Sequence, residues 1–131
     1  SHEWGHFAGA RFSGSDTPLL PFSKFPQIFN LNLMKCEASH FMGMSLGGNI
    51  AHWLLFVVLI MGLPLTSVGQ VALVSGSFGF GVFATSVELP VILKARGGAK
   101  PLEALSVISP NFVRRNGSWG LAAAVLAFLV M

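Results

Sequence analysis

Residues 41–62 read FMGMSLGGNIAHWLLFVVLIMG, and residues 70–92 read QVALVSGSFGFGVFATSVELPVI. Apolar side chains dominate both stretches, and no Asp, Glu, Lys or Arg occurs between Glu37 and Glu88. A helix of about 20 apolar residues is long enough to span the roughly 30 Å hydrocarbon core of a bilayer. The two stretches therefore predict two complete transmembrane helices.

Partial helices are predicted on both sides of these spans. Residues 1–11 predict the end of a helix, because Gly, Ser and Pro follow at residues 13–18. Residues 118–131, SWGLAAAVLAFLVM, are strongly apolar but too few to cross a bilayer. We therefore expect an all-α fold: a polytopic transmembrane helix bundle forming one domain over residues 1–131. The abrupt start and end further predict a fragment of a longer protein.

The segments between these helices carry weaker signals. Residues 19–40 are rich in Phe and Pro, which leaves open an extended segment or one lying at the membrane surface. After the second span, Pro101 is suited to the first position of a short surface helix that Ser109 and Pro110 would end.

Composition and charge agree with a membrane location. Hydrophobic residues make up 53% of the chain and charged residues 10%, whereas soluble domains carry about 25% charged residues. The basic residues flank the spans without forming a clustered basic face, so we expect no nucleic-acid partner. They are Arg11, Lys24 and Lys35 before the first span, and Lys94, Arg96, Lys100, Arg114 and Arg115 after the second.

Because the connector between the spans is uncharged, both charged loops fall on one side of the bilayer. The positive-inside rule assigns that side to the cytoplasm. We therefore expect an integral membrane protein of a prokaryotic plasma membrane, in contact with the lipid bilayer and with its charged loops cytoplasmic. The single Cys36 lies in one of these loops, which fits a reducing compartment.

The N-terminal segment contains an H-E-x-x-H pattern at His2, Glu3 and His6. On a helix, positions i and i+4 share a face, so both imidazoles can point at one metal ion. In metalloproteases with this spacing the histidines bind Zn²⁺ and the glutamate is the general base toward a metal-bound water. The pattern predicts a zinc site with His2 and His6 as ligands and Glu3 as the catalytic residue.

Two ionisable residues lie within the predicted spans, namely His52 and Glu88. Intramembrane ionisable groups are costly, so they usually face a bundle interior and bind something. Antiparallel spans place the two at similar depth, on the side where the helix carrying His2 and His6 ends. Either residue could complete a metal site. His52 could instead orient a metal ligand without binding the metal itself. Asn49, which precedes His52 by about one turn, could bond a backbone carbonyl or position substrate.

The chain resembles the site-2 protease family of intramembrane zinc metalloproteases, as a divergent member. HEWGHFAGAR at residues 2–11 is similar to that family's HExxH helix, and SLGGNIAHWLLF at residues 45–56 is similar to its A-G-P-x-A-N-x-x-L segment. In the second segment Gly48 matches the family's glycine, Asn49 replaces a proline and His52 replaces an asparagine. The family's third zinc ligand is an Asp in an L-D-G motif, and Glu88 in VELPV is the nearest equivalent here.

The resemblance implies a membrane-embedded zinc endopeptidase that hydrolyses a peptide bond of a membrane protein or peptide within or near the bilayer. Its ligands would be His2, His6 and Glu88, with His52 and Asn49 as a possible ligand or supporting residues. Two other functions stay open. One is a catalytically silent protein of the same fold that binds zinc or a partner helix. The other is a small transporter subunit in which His52 and Glu88 relay protons or bind a cation.

Overall fold

The computed structural model describes residues 1–25 and 27–131, and within these ranges the regular secondary structure is helical. The prediction of an all-α fold is confirmed. One isolated β-bridge joins Leu19 to Phe29 in the loop after the first helix. The helices are α1 (His2–Phe12), a short 3-10 helix (Phe22–Lys24), α2 (Ala38–Gly62), α3 (Val68–Arg96), α4 (Pro101–Leu105) and α5 (Pro110–Val130).

Two helices, α2 and α3, are long and apolar enough to cross a membrane. Both helices are longer than the spans predicted from the sequence, which were residues 41–62 and 70–92. At its N-terminus α3 starts with a capping box: the Ser67 hydroxyl accepts from the Gln70 N–H, and the Gln70 side chain accepts from the Ser67 N–H. At the C-terminal end of α3, Lys94 and Arg96 lie in the last turn, where positive charges interact favourably with the helix dipole.

The predicted boundaries at the C-terminal end of the chain were wrong. The last helix begins at Pro110, eight positions before the expected start at residue 118. Ser109 caps it by accepting from the Phe112 N–H, and Pro110 takes the first helical position, where no N–H is needed. We expected Ser109 and Pro110 to end a surface helix, but that helix, α4, stops at Leu105.

The helices form two closely packed pairs, α1 with α2 and α3 with α5, and α2 packs on α3 between them. α2 and α3 run antiparallel: Trp53 meets Thr85, whereas Asn49, one turn earlier, meets Glu88. Close packing within the first pair depends on two Gly-x-x-x-Gly sequences, Gly5 with Gly9 and Gly43 with Gly47. Such small residues allow the backbones of two helices to touch.

Gly9 provides a test of this contact, because a Cβ added there would lie 2.8 Å from the Gly43 carbonyl carbon and 3.0 Å from the Gly47 Cα. Both neighbours are backbone atoms, so α1 and α2 would have to separate. We expect Gly9→Ala to lower the free energy of unfolding by about 1–3 kcal/mol, as overpacking does. Denaturant titration in detergent measures this quantity.

The matched control is Gly76→Ala, since a Cβ at this position in the interior of α3 would meet no atom of the described residues within 4 Å. Alanine is the better helix former, so this variant should be as stable as the unaltered protein or more stable. Equal stability of the Gly9→Ala and Gly76→Ala variants would contradict the close backbone contact.

Candidate metal centre

α1 brings His2 and His6 onto one helical face, as their spacing of four residues requires. Their Nε2 atoms lie 3.1 Å apart, and the two rings meet edge to face with centroids separated by 4.5 Å. Both side chains are largely buried, with 13% and 14% of their surfaces exposed.

Glu88 reaches the two histidines from α3. Its Oε1 lies 2.8 Å from the His2 Nε2 and 3.2 Å from the His6 Nε2, and its side chain is 18% exposed. Of the described residues, these three are the ones whose ligand atoms converge as a metal ion would require. In a tetrahedral zinc site with bonds of about 2.0–2.1 Å, neighbouring ligand atoms are about 3.3 Å apart. The three separations of 2.8, 3.1 and 3.2 Å are each shorter than this, so the atoms form a compressed version of one face of such a tetrahedron.

The orientation of His6 suits a metal ligand. Its Nδ1–H donates to the Met44 carbonyl oxygen at 2.7 Å, which fixes the tautomer of the neutral ring and leaves a lone pair on Nε2. Gly48 makes room for the ring, because a Cβ at that position would lie 2.6 Å from the His6 Nδ1. Glycine at residue 48 is therefore needed for the ring to sit where it does.

Counting protons shows why a cation fits between these atoms. With a neutral His6 ring, the His6 Nε2 and the Glu88 Oε1 are both acceptors, although they lie only 3.2 Å apart. A proton on the His2 Nε2 can be donated to only one of these two acceptors. A divalent cation would instead bind the lone pairs of both imidazole nitrogens and of the carboxylate oxygen. The His2 Nδ1 is buried and has no partner in residues 1–25 and 27–131, and the ring packs against Phe80, with centroids 5.3 Å apart.

The second oxygen of Glu88 has a different partner. The Asn49 side-chain amide donates to the Glu88 Oε2, so the carboxylate is held from α2 as well as by the histidines. This contact gives Asn49 a structural position beside the converging group. A supporting role for Asn49 was one of the alternatives that the sequence left open, although no feature of the sequence favoured it over the others.

Glu3 and His52 lie outside the converging group. Glu3, next to His2 on α1, is exposed. The His52 Nε2 lies 2.8 Å from the Ser77 carbonyl oxygen, the His52 ring packs against Phe80, and its centroid is 6.2 Å from that of His2. The structure thus brings Glu88, and not His52, to the two histidines of α1.

Sequence reasoning missed two polar residues near this centre, Thr85 and Trp53. Thr85 precedes Glu88 by three residues on α3, and Trp53 follows Asn49 by four residues on α2. Residues three or four positions apart share a helix face, so Thr85 lies on the face of Glu88 and Trp53 on the face of Asn49. This spacing was the signal in the sequence that could have identified them.

Two imidazole nitrogens and one carboxylate oxygen form a donor set that Zn²⁺ accepts, with a fourth position for water or substrate. Nitrogen and carboxylate ligands also suit other divalent transition metals, so the donor set alone gives the class of metal. The chain matches no family model, no curated protein and no solved structure.

Proposed function

We propose that this protein is a membrane-embedded zinc metalloendopeptidase similar to the site-2 proteases, which cleaves peptide bonds of a membrane protein or peptide within or near the bilayer. The observation that carries the proposal is the convergence of His2, His6 and Glu88 from two separate helices. The HExxH spacing explains the pair on α1. A third ligand supplied from another helix makes the set sufficient for zinc.

The membrane part of the proposal is supported by where Glu88 and Asn49 lie. Both belong to the helices that are long and apolar enough to span a bilayer, and they meet each other side by side. A carboxylate at such a position is costly unless it binds something. A peptide bond hydrolysed here would therefore lie within the membrane or close to its surface.

Each residue then has a distinct role in hydrolysis. His2, His6 and Glu88 would hold Zn²⁺, which when bound polarises the scissile carbonyl and lowers the pKa of a water ligand to about 7. Glu3 takes a proton from the attacking water as the oxygen–carbon bond forms, and returns it to the leaving amine as the carbon–nitrogen bond breaks.

Metal analysis of the purified intact protein tests the proposal directly. We expect about one zinc per chain, as a site with three protein ligands requires. A chelator should remove the metal and stop cleavage of a transmembrane reporter peptide, and added Zn²⁺ should restore both. Protein that contains no zinc and takes none up would refute the proposal.

The orientation of the loops gives a second prediction. If the charged loops are cytoplasmic, a membrane-impermeant maleimide should label Cys36 in inverted vesicles and leave it unlabelled in intact cells. Partial burial raises the pKa of the Cys36 thiol, so labelling should speed up as the pH rises and more thiolate forms.

The assay is specific because Cys36 is the single cysteine of the sequence, and Cys36→Ser provides the blank. Labelling of intact cells at the rate seen in inverted vesicles would contradict the cytoplasmic orientation of the charged loops.

A further inference from the structure

A chain of three hydrogen bonds leads from Trp53 to the carboxylate of Glu88. The Trp53 indole Nε1–H donates to the Thr85 hydroxyl at 2.9 Å, and that hydroxyl donates to the Asn49 Oδ1 at 2.7 Å. The Asn49 amide then donates to the Glu88 Oε2. The chain crosses between α2 and α3 at each step.

Every bond in this chain has only one possible direction. An indole N–H can only donate, so the Thr85 oxygen accepts from Trp53 and its own proton is free for Asn49. Once the Asn49 Oδ1 accepts that proton, its NH₂ group must face Glu88. Because an ionised carboxylate can only accept, Glu88 requires the same orientation of the amide, and Thr85, itself held by Trp53, fastens the other end of the Asn49 side chain.

The consequence for Glu88 lies in how its two oxygens divide their contacts. The Oε2 is occupied by Asn49, which leaves Oε1 for the Nε2 atoms of His2 and His6. A carboxylate free to rotate about its terminal bond could present either oxygen, or both. Asn49 in a fixed orientation selects binding through one oxygen.

The chain of hydrogen bonds from Trp53 to Glu88 has mainly apolar surroundings. Asn49, Trp53 and Thr85 line a groove of about 430 Å³ between α2 and α3. The other lining residues are all apolar: Leu46, Ile50, Leu54, Val57, Leu89 and Ile92. Apolar neighbours offer these polar groups no other partners, and a low local dielectric makes each hydrogen bond stronger.

We propose that Thr85 and Trp53 are positioning residues for the zinc ligand Glu88, acting through Asn49. This inference depends on the proposed zinc site and extends it to residues outside the ligand set. Groups that orient a metal ligand typically change metal affinity or activity by about 10–100-fold when they are removed.

The test compares Thr85→Val, which removes the hydroxyl at nearly constant shape, with Thr85→Ser, which keeps it. Ser86→Ala is the matched control, since the Ser86 hydroxyl donates to the Phe83 carbonyl and takes no part in the chain. Zinc dissociation constants come from competition with a chelator, and the visible spectrum of the Co²⁺-substituted protein reports the ligand geometry. Unfolding is measured in parallel for each variant.

We expect Thr85→Val to weaken zinc binding by about 10–100-fold and to shift the cobalt spectrum. Thr85→Ser should restore most of the affinity, and Ser86→Ala should leave both readouts unchanged. Trp53→Phe, which keeps an aromatic ring but loses the N–H donor, should have a smaller effect of the same kind. In an Asn49→Ala background, Thr85→Val should weaken zinc binding no further, because its influence passes through Asn49.

If Thr85→Val lowers only the stability and leaves the zinc affinity and the cobalt spectrum unchanged, the chain merely fastens α2 to α3 and the inference is wrong. Additive losses in the double variant would also overturn it. Failure of the proposed function looks different, since the unaltered protein would then bind neither zinc nor cobalt.

Discussion

Replacing Glu3 by Gln is expected to abolish hydrolysis while leaving the zinc bound. An amide cannot accept the proton of the attacking water, and the loss of a general base typically lowers the rate by about 10²–10⁴-fold. Glu3 lies outside the group formed by His2, His6 and Glu88, so its removal should spare the metal. Single-turnover cleavage of a membrane-inserted reporter and zinc analysis of the same sample measure both quantities.

Glu37→Gln is the matched control, because Glu37 is also an exposed glutamate but precedes α2 in the loop. Cleavage by Glu3→Gln at the rate of Glu37→Gln would remove Glu3 from the mechanism. Zinc-loaded, unaltered protein that cleaves no membrane peptide would favour the catalytically silent protein of the same fold.

The second large effect concerns the third ligand. Glu88→Ala should empty the site at zinc concentrations that saturate the unaltered protein, because two histidines alone hold Zn²⁺ poorly. His52→Ala should keep the metal, with an affinity loss of at most about tenfold, since the His52 ring contacts the Ser77 carbonyl and Phe80. Glu88→Asp should retain part of the affinity, because it keeps the carboxylate at shorter reach.

Zinc content of the two alanine variants decides between the alternatives. If His52→Ala empties the site and Glu88→Ala leaves it filled, the ligands are His2, His6 and His52, and the role assigned to Glu88 is wrong.

The long helices were predictable from the sequence because their signal is strong and local. A long uncharged apolar run has few other stable structures in a bilayer, and the existence of α2 and α3 followed from it. The start of α5 was missed for an equally local reason. Ser109 and Pro110 were interpreted as a stop, although the same pair can cap and begin the next helix.

The choice between Glu88 and His52 could not be made from the sequence. Antiparallel helices place both at similar depth, but each residue along a helix turns the side chain by about 100°. Which side chain faces α1 depends on the rotation of α2 and α3 about their axes. That rotation follows from tertiary contacts such as the Gly47 and Gly48 approaches to α1, which periodicity does not reveal.

Thr85 and Trp53 show a different limit. Both residue types are ordinary in apolar helices, and their hydrogen bonds exist only once α2 and α3 are in register. The spacing along each helix was visible, but the pairing between helices was not. The roles assigned to His2, Glu3, His6 and Glu88 remain predictions for the experiments above.

The division of the helices into two pairs has a mechanical consequence. His2 and His6 belong to the pair of α1 and α2, whereas Glu88 belongs to the pair of α3 and α5. An ion held by all three would act as a cross-link between α1 and α3, across two halves that otherwise meet mainly along the seam between α2 and α3. At an ion concentration of 100 times the dissociation constant, this cross-link would add about 2.7 kcal/mol to the stability. Loss of the ion would loosen that seam first and leave each half internally intact.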